Sequence, residues 1–487
     1  MTDWLNSLGY VREAPGKPAL ITPSKMWTYE ELVDKAFTMA ARLAAWDVKA
    51  GSRVAVLSPN SAQYVFLIHA LLELGATLIP LNTRLTLDEL KYQVQTARPT
   101  LLIDTPETET RGKTLYRDIN TRPVDFNGFR SAHFDPIMPE TTDESIAAIL
   151  FTSGTTGQPK GVRLTRSNLW LNALWSNRKL SAETPETDRW LLTLPLYHVG
   201  GLSIVYRTFL AGQTLVLYEG GFDPQRVSDA LHQHQITHVS LVPTQLYRML
   251  EAGVSFPSSL RIILLGGAAA SPDLLKRAFD AGLPVAPTYG MTETASQITT
   301  MLPDAARRKP GSVGKPISQT RLRVVAEDNS TLPANQIGEI VIQTSSSDTL
   351  MLGYLDQPDI TDEDEFHTGD LGDLDDDGDL WIVQRRSDLI ISGGENVYPA
   401  EVENVLYTHP AIADACVVGL ADAEWGQIVA AALIIKPDAH ATADEIDAHC
   451  QQHLAGYKRP RRIIFVDALP QTASGKVIRR EVAAMFA

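Results

Sequence analysis

The chain is poor in cysteine, with two among 487 residues, Cys416 and Cys450. They build neither a disulfide framework nor a paired-cysteine zinc spacing. Positive charge is also scarce. Lys and Arg number 43 against 58 Asp and Glu, a formal net charge of -15. A nucleic-acid surface needs a basic face, so no nucleic-acid partner is expected. A long hydrophobic run is missing too. The most apolar stretch, YVFLIHALLELGATLIP (64–80), is interrupted by His69, Glu73, Gly75 and Pro80 and is short for a membrane span. It reads as a buried helix followed by a short strand. The opening MTDWLNSLGY has no basic region and no long apolar run, so no secretion signal is expected. These absences point to a cytoplasmic protein without stable membrane insertion. A homodimer is left open.

What is present is an ordinary globular composition, 44% hydrophobic and 21% charged. Short β-rich runs, RVAVLS (53–58), TLIPL (77–81), TLLID (100–104), IAAILF (146–151), TLVLY (214–218), HVSLVP (238–243) and RIILLGG (261–267), read as strands. Helix-like segments lie between several of them, such as 29–46 and 224–234. The alternation predicts α/β layers with largely parallel sheets. From about 310 to 385 strands follow one another without helices, which predicts a smaller β-rich, barrel-like portion. After 385 helix and strand alternate again. The fold class expected is therefore α/β, with a large N-terminal domain (1–385) and a small mobile α+β C-terminal domain (386–487). No low-complexity linker separates them, so the junction reads as a hinge.

The stretch FTSGTTGQPKGV (151–162) leaves a strand and is crowded with glycine and hydroxyls. Convergent backbone N–H groups and a lysine suit an anion. It is not a Walker A loop, because Gly157 is followed by Gln-Pro-Lys and Pro159 fits poorly inside a helix. TYGMTETASQ (288–297) sets an aromatic, Tyr289, beside Gly290, then Thr292 and Glu293. One carboxylate suffices for Mg2+ when phosphate oxygens supply the rest. HTGDLGDLDDDGDLWIV (367–383) contains the start of a calcium loop, Asp373, Asp375, Asp377 and Gly378, but Gln384 stands where the closing Glu belongs. An acidic β-turn is the better reading. Asp370 could accept from ribose hydroxyls. Arg385 could pair with phosphate or ribose oxygens. Gly393 and Gly394 permit close approach of a ligand. Lys476 lies in a loop near the C-terminus. The histidines of HQHQITH (232–238) are unsuited to a shared metal, since residues two apart on a helix do not share a face. The basic run YKRPRR (457–462), with Lys458, could attract phosphates.

Taken in order, TSGTTGQPKG, YGMTE, TGD, RRSDLI…GGENVYPAEVE and P…SGK resemble the signature series of the adenylate-forming superfamily, the acyl-CoA synthetases and their relatives. The resemblance spans about 20–480. It implies ATP, Mg2+ and CoA as ligands and two steps, adenylation of an acid and transfer of the acyl group to a thiol. By position it implies that Thr152, Ser153, Gly154, Thr155, Thr156, Gly157 and Lys160 hold the β/γ phosphates. Gly266 and Gly267 would line the adenine pocket and Tyr289 would stack on the base. Thr292 would contact the α-phosphate and Glu293 would hold the metal. Asp370 and Arg385 would grip the ribose, and Lys476 would reach the α-phosphate and the attacking carboxylate. The hinge would fall at Ser387, where many relatives carry Asp or Lys, and Gly393–Gly394 would line a thiol tunnel.

LPLYHVGGLS (194–203), with Ser296–Gln297, resembles the branch of that family acting on 2-succinylbenzoate in menaquinone and phylloquinone synthesis. That acid has a second carboxylate to be held without being activated. A buried carboxylate requires a cation or several donors. Arg207 is the expected partner and His198 the expected gate of the acyl pocket. Other readings are an aryl or medium-chain acyl-CoA ligase, a carrier-protein loading enzyme, or a P-loop ATPase releasing ADP.

Overall fold

The computed structural model describes residues 14–119, 123–125, 142, 144–152, 159–180, 187–343, 350–360, 365–384, 389–437, 439–470 and 477–486. Strands Arg53–Leu57, Thr77–Pro80 and Leu101–Asp104 pair in parallel, flanked by Pro123–Asp125 and Ile146–Thr152. Every residue from Thr77 to Pro80 and from Leu101 to Asp104 is buried. That is why these strands read as apolar runs rather than alternating ones, since a parallel strand is covered on both faces. Lys160–Thr165 and Gly353–Tyr354 close the opposite edge antiparallel and complete seven strands. The stretch 64–80 is as expected, a buried helix (Ala62–Glu73) feeding the strand Thr77–Pro80. No helix among the described residues is long and apolar enough to cross a membrane.

A second sheet has thirteen strands. Arg189–Leu192, Thr214–Leu217, His238–Leu241, Ile262–Leu265 and Val285–Met291 form its parallel half. HVSLVP is shorter than the sequence suggests, because Pro243 opens the helix Pro243–Glu251. The predicted β-rich portion is present and antiparallel. Its strands continue the hydrogen-bonded path of this sheet, through Ser296–Thr300 and Ser312–Pro316 to Leu380–Gln384 and Glu365–Leu374.

The C-terminal domain has a sheet of five strands built on the hairpin Ile412–Asp422/Gly426–Ile435. Helices Pro399–Tyr407 and Ala443–His453 accompany it, with Val402, Leu406, Ile446 and Cys450 in its core. The helix Ala443–His453 starts with a capping box, Thr442 and Glu445, as does Leu87–Ala97 with Thr86 and Glu89. The expected boundary at 385/386 and the hinge Ser387 lie outside the described residues.

The acidic turn is filled from within. Lys309 Nζ lies 2.7, 2.6 and 2.7 Å from carboxylates of Asp375, Asp377 and Asp379. Asp375 Oδ1 also accepts from the backbone of Asp377 and Asp379, and Gly378 takes the positive-φ position at 79°. The three aspartates hold the Lys309 ammonium well above its usual range. Lys309→Met should therefore lower the melting temperature, through repulsion among the aspartates, while leaving turnover per folded molecule unchanged. An unchanged melting temperature would show that solvent screens the cluster.

Candidate active site

A cavity of about 740 Å³ opens where the C-terminal ends of the parallel strands meet the C-terminal domain. Open α/β sheets put their ligand sites at that edge of the strands, and the volume suits a small molecule with its cofactors.

Gly266 and Gly267 leave the end of Ile262–Leu265 and line the cavity. A Cβ on Gly266 would meet Thr288 Cγ2 at 2.6 Å, and Gly267 has φ +82°. Gly290 has no room either, because a Cβ there would lie 1.8 Å from Ser296 O. Thr292, Glu293 and Asp370 also line the cavity. Tyr289 does not stack into the open space. Its ring is 1% exposed within the main core, and its hydroxyl donates to Asp370 Oδ2 at 2.8 Å. The tyrosine orients the Asp370 carboxylate, and its ring is packed in the core rather than facing the cavity.

Thr152 and Lys160 face each other across the antiparallel pair Ile146–Thr152/Lys160–Thr165. The strands before and after the glycine-rich stretch are thus antiparallel neighbours, whereas a P-loop leads from a strand into a helix. Ser153, Gly154, Thr155, Thr156 and Gly157 lie outside the described residues, as do Arg385 and Lys476. Lys160 Nζ sits 5.0 Å from the centre of the Tyr354 ring, whose hydroxyl donates to Glu293 Oε1 at 2.9 Å. Tyr354 joins Lys160 to the Glu293 carboxylate, a contact no motif in the sequence signals.

One end of the cavity is lined by the helix Val199–Leu210 and its N-cap His198. Arg207, on that helix, is 1% exposed. Its Nη2 donates to Ser296 Oγ at 3.1 Å, its guanidinium lies 5.8 Å from the Trp190 ring centre, and its Nε has no partner. No carboxylate among the described residues forms an ion pair with it. Burial pushes its pKa down to about 9. Ser296 itself is held at φ +128°, following Ala295 at +54°. Gln297 lines the wall but is committed to the protein. Its Oε1 accepts from Ser176 at 2.6 Å and its Nε2 donates to Thr300 Oγ1 at 2.7 Å. The pair expected to read the acid therefore divides, with Ser296 at the guanidinium and Gln297 as a fixed wall.

His198 stands at the N-cap of the same helix, with its Nε2 3.0 Å from Glu395 Oε2. Arg84 Nη1 donates to the other oxygen at 3.1 Å. Burial pushes the Glu395 carboxyl up, but His198, Arg84 and Lys458 outweigh it and hold the group below its usual range. Glu395 follows Gly393 and Gly394, whose φ values are +62° and +84°. A Cβ on Gly393 would meet Trp425 at 2.7 Å, and one on Gly394 would meet Val242 at 3.0 Å. Gly394 thus packs tightly against the large domain, and Gly393 against Trp425 of its own domain. Neither the Arg84–Glu395 nor the His198–Glu395 contact has a sequence signal.

Lys458 faces inward rather than toward a phosphate. It is 3% exposed, and its Nζ lies 2.6 Å from both Glu89 Oε1 of the large domain and Glu401 Oε1 of the small one. Burial opposes its charge, but the two carboxylates hold the ammonium above its usual value. Among the outward cations of YKRPRR, Arg461 lines the cavity, stacked 4.1 Å over Trp425, with Arg248 of the large domain 4.9 Å from the same ring. The HQHQITH histidines separate as expected. His238 is buried against Trp190, while His232 bonds its own helix at Ser228 O.

The AMP-binding enzyme family matches residues 10–355, and the AMP-binding enzyme C-terminal domain matches 401–476. The 2-succinylbenzoate–CoA ligase of Bacillus cereus (strain Q1) is 39% identical, over 99% of this chain and 98% of that one. A double mutant of o-succinylbenzoate CoA synthetase from Bacillus subtilis, bound with the product analogue OSB-NCoA, superposes with a TM-score of 0.92 at 36% identity, covering 99% and 98% of the chains. The same enzyme in complex with ATP and magnesium gives 0.74 at 35% identity, with 99% of each chain covered.

Proposed function

The chain belongs to the AMP-binding enzyme family, an adenylate-forming acyl-CoA ligase, and from that premise we propose that its acid is 2-succinylbenzoate and its acceptor CoA. The observation that carries the acid is Arg207, a fully buried guanidinium at the cavity with no carboxylate partner among the described residues. A buried cation left unpaired is costly, and a substrate carboxylate removes that cost. The benzoate carboxylate fits there, bridged by Ser296, while the succinyl carboxylate reaches toward Thr292 and Glu293. His198 walls the pocket between them.

In the first step a succinyl carboxylate oxygen attacks the α-phosphorus of ATP. The bond to the β-phosphate oxygen breaks and pyrophosphate leaves. Thr152 to Gly157 and Lys160 hold the departing phosphates, Gly266 and Gly267 flank the base, and Asp370 with Arg385 holds the ribose. Glu293 fits Mg2+, with one hard carboxylate oxygen steadied by Tyr354 and the other carrying no hydrogen bond among the described residues. When bound, the ion would neutralise phosphate charge. Lys476 would steady the α-phosphate and the attacking oxygen, charge developing there being what fixed cations stabilise. In the second step the CoA thiolate attacks the acyl carbon and AMP leaves. The tunnel wall would be Gly393 and Gly394. Arg461 at the rim takes the place for CoA phosphates that the sequence suggested for Lys458. The closer likeness to the product-analogue complex than to the ATP complex supports reading the docked domain as the thioester-forming arrangement.

Mass spectrometry of a reaction with ATP, CoA and 2-succinylbenzoate should find the thioester, AMP and pyrophosphate. ADP instead, or a thioester only from fatty or simple aryl acids, would overturn the proposal. Lys160→Ala should slow adenylate formation more than thioester formation from supplied acyl-adenylate, and equal losses would remove Lys160 from the pyrophosphate site.

A further inference from the structure

Imidazoles gather at the seam between the two domains. His449 and His453 are four residues apart on the helix Ala443–His453, so they share a face. Their ring centres are 4.9 Å apart. His409 adds a third ring, 5.2 Å from His449. From the large domain, Asp88 in the first turn of the helix Leu87–Ala97 brings Oδ2 to 3.8 Å from His453 Nδ1. Thr86 of the same turn donates to His453 O at 3.4 Å.

The tautomer of His449 is legible. Its Nε2 faces the Val405 carbonyl at 3.2 Å and the Thr408 hydroxyl at 2.8 Å. A carbonyl only accepts, so Nε2 carries the proton and Nδ1 keeps its lone pair. Metal-binding histidines are commonly fixed in this way, by a carbonyl on the far ring nitrogen. His409 is differently occupied, its Nδ1 accepting from Ala411 N at 3.3 Å.

We propose that His449, His453 and Asp88 form a site for a divalent transition-metal ion of the zinc class that ties the C-terminal domain to the large one. Two imidazoles and a carboxylate are a ligand set that zinc accepts, and two rings on one tetrahedral ion lie with centres about 5 Å apart. The ligand atoms close on the ion only after rotation. Among the described residues only Asp375, Asp377 and Asp379 already bring three ligand atoms within 4.8 Å, and Lys309 fills that cluster. The required rotations are open to Asp88 and His453, whose side chains are 64% and 40% exposed. Because two ligands come from the C-terminal domain and one from the large domain, the ion holds the docked arrangement against reopening.

Zinc titrated calorimetrically into the full chain, with saturating Mg2+ and no nucleotide, tests this. One ion per chain is expected, lost in the double variant His449→Ala/His453→Ala and weakened roughly tenfold or more in Asp88→Asn. Melting temperatures show that each variant is folded. Equal zinc binding by wild type and the double variant would overturn the site. Unchanged affinity in Asp88→Asn would overturn the bridge between the domains.

Discussion

Arg207→Met is expected to lower kcat/KM for 2-succinylbenzoate by roughly two to three orders of magnitude and, at the same time, to raise the melting temperature. The loss follows from leaving a substrate carboxylate buried without its cation, which costs about 3–4 kcal/mol. The gain follows from the same burial. Arg207 is pushed down to about 9, below the ordinary guanidinium value. Burial disfavours the charge, so the folded protein carries it at a cost. Methionine, of similar length, removes that cost. A comparison acid, 4-oxo-4-phenylbutanoate, lacks the ring carboxylate and should be little affected by the substitution. Steady-state kinetics with both acids decides. Equal losses on both would show that Arg207 shapes the pocket rather than pairing with the second carboxylate.

The second large effect is expected at Lys458. Lys458→Met leaves Glu89 and Glu401 facing each other at the domain seam, both deprived of their shared ammonium. Breaking a buried pair in this way costs about 3–5 kcal/mol. Here the cost falls on one arrangement of two domains, because Glu89 and Lys458 belong to different domains. Thioester formation from supplied acyl-adenylate should fall about a hundredfold or more, and acyl-adenylate should accumulate when ATP and the acid are given together. Adding Glu401→Gln removes one of the two stranded charges and should recover part of the loss. A Lys458→Met enzyme with both half-reactions intact would show that the docked arrangement does not depend on this lysine.

Local patterns carried the frame of the fold. Runs such as RVAVL, TLIP and LLID read as buried parallel strands because both faces are covered, and the capping boxes announce their helices within four residues. Arg207 was singled out by the resemblance, as a basic position of the succinylbenzoate branch, and it lies buried at the cavity. The closing contacts were not legible. Glu395 meets His198 and Arg84 across 197 and 311 positions, and Lys458 meets Glu89 across 369. No periodicity or spacing rule reaches that far, and each residue alone reads as a solvated charge. Tyr289 shows the converse failure. Its motif suggests a base platform, yet only the packed core reveals that the ring is enclosed and its hydroxyl faces Asp370.

The backbone at Ala295 and Ser296 has a consequence for how this pocket could drift. Both residues occupy positive φ, a region that glycine enters freely and side chains enter with strain. Ser296 stays there with its hydroxyl on Arg207. In a lineage that still needed that hydroxyl the strain would persist as a standing burden. In one that had turned to acids without a second carboxylate, nothing would oppose its relief, and glycine at 296 and an apolar residue at 207 should arise together. Sequencing such lineages would show whether the two positions change hands as a pair.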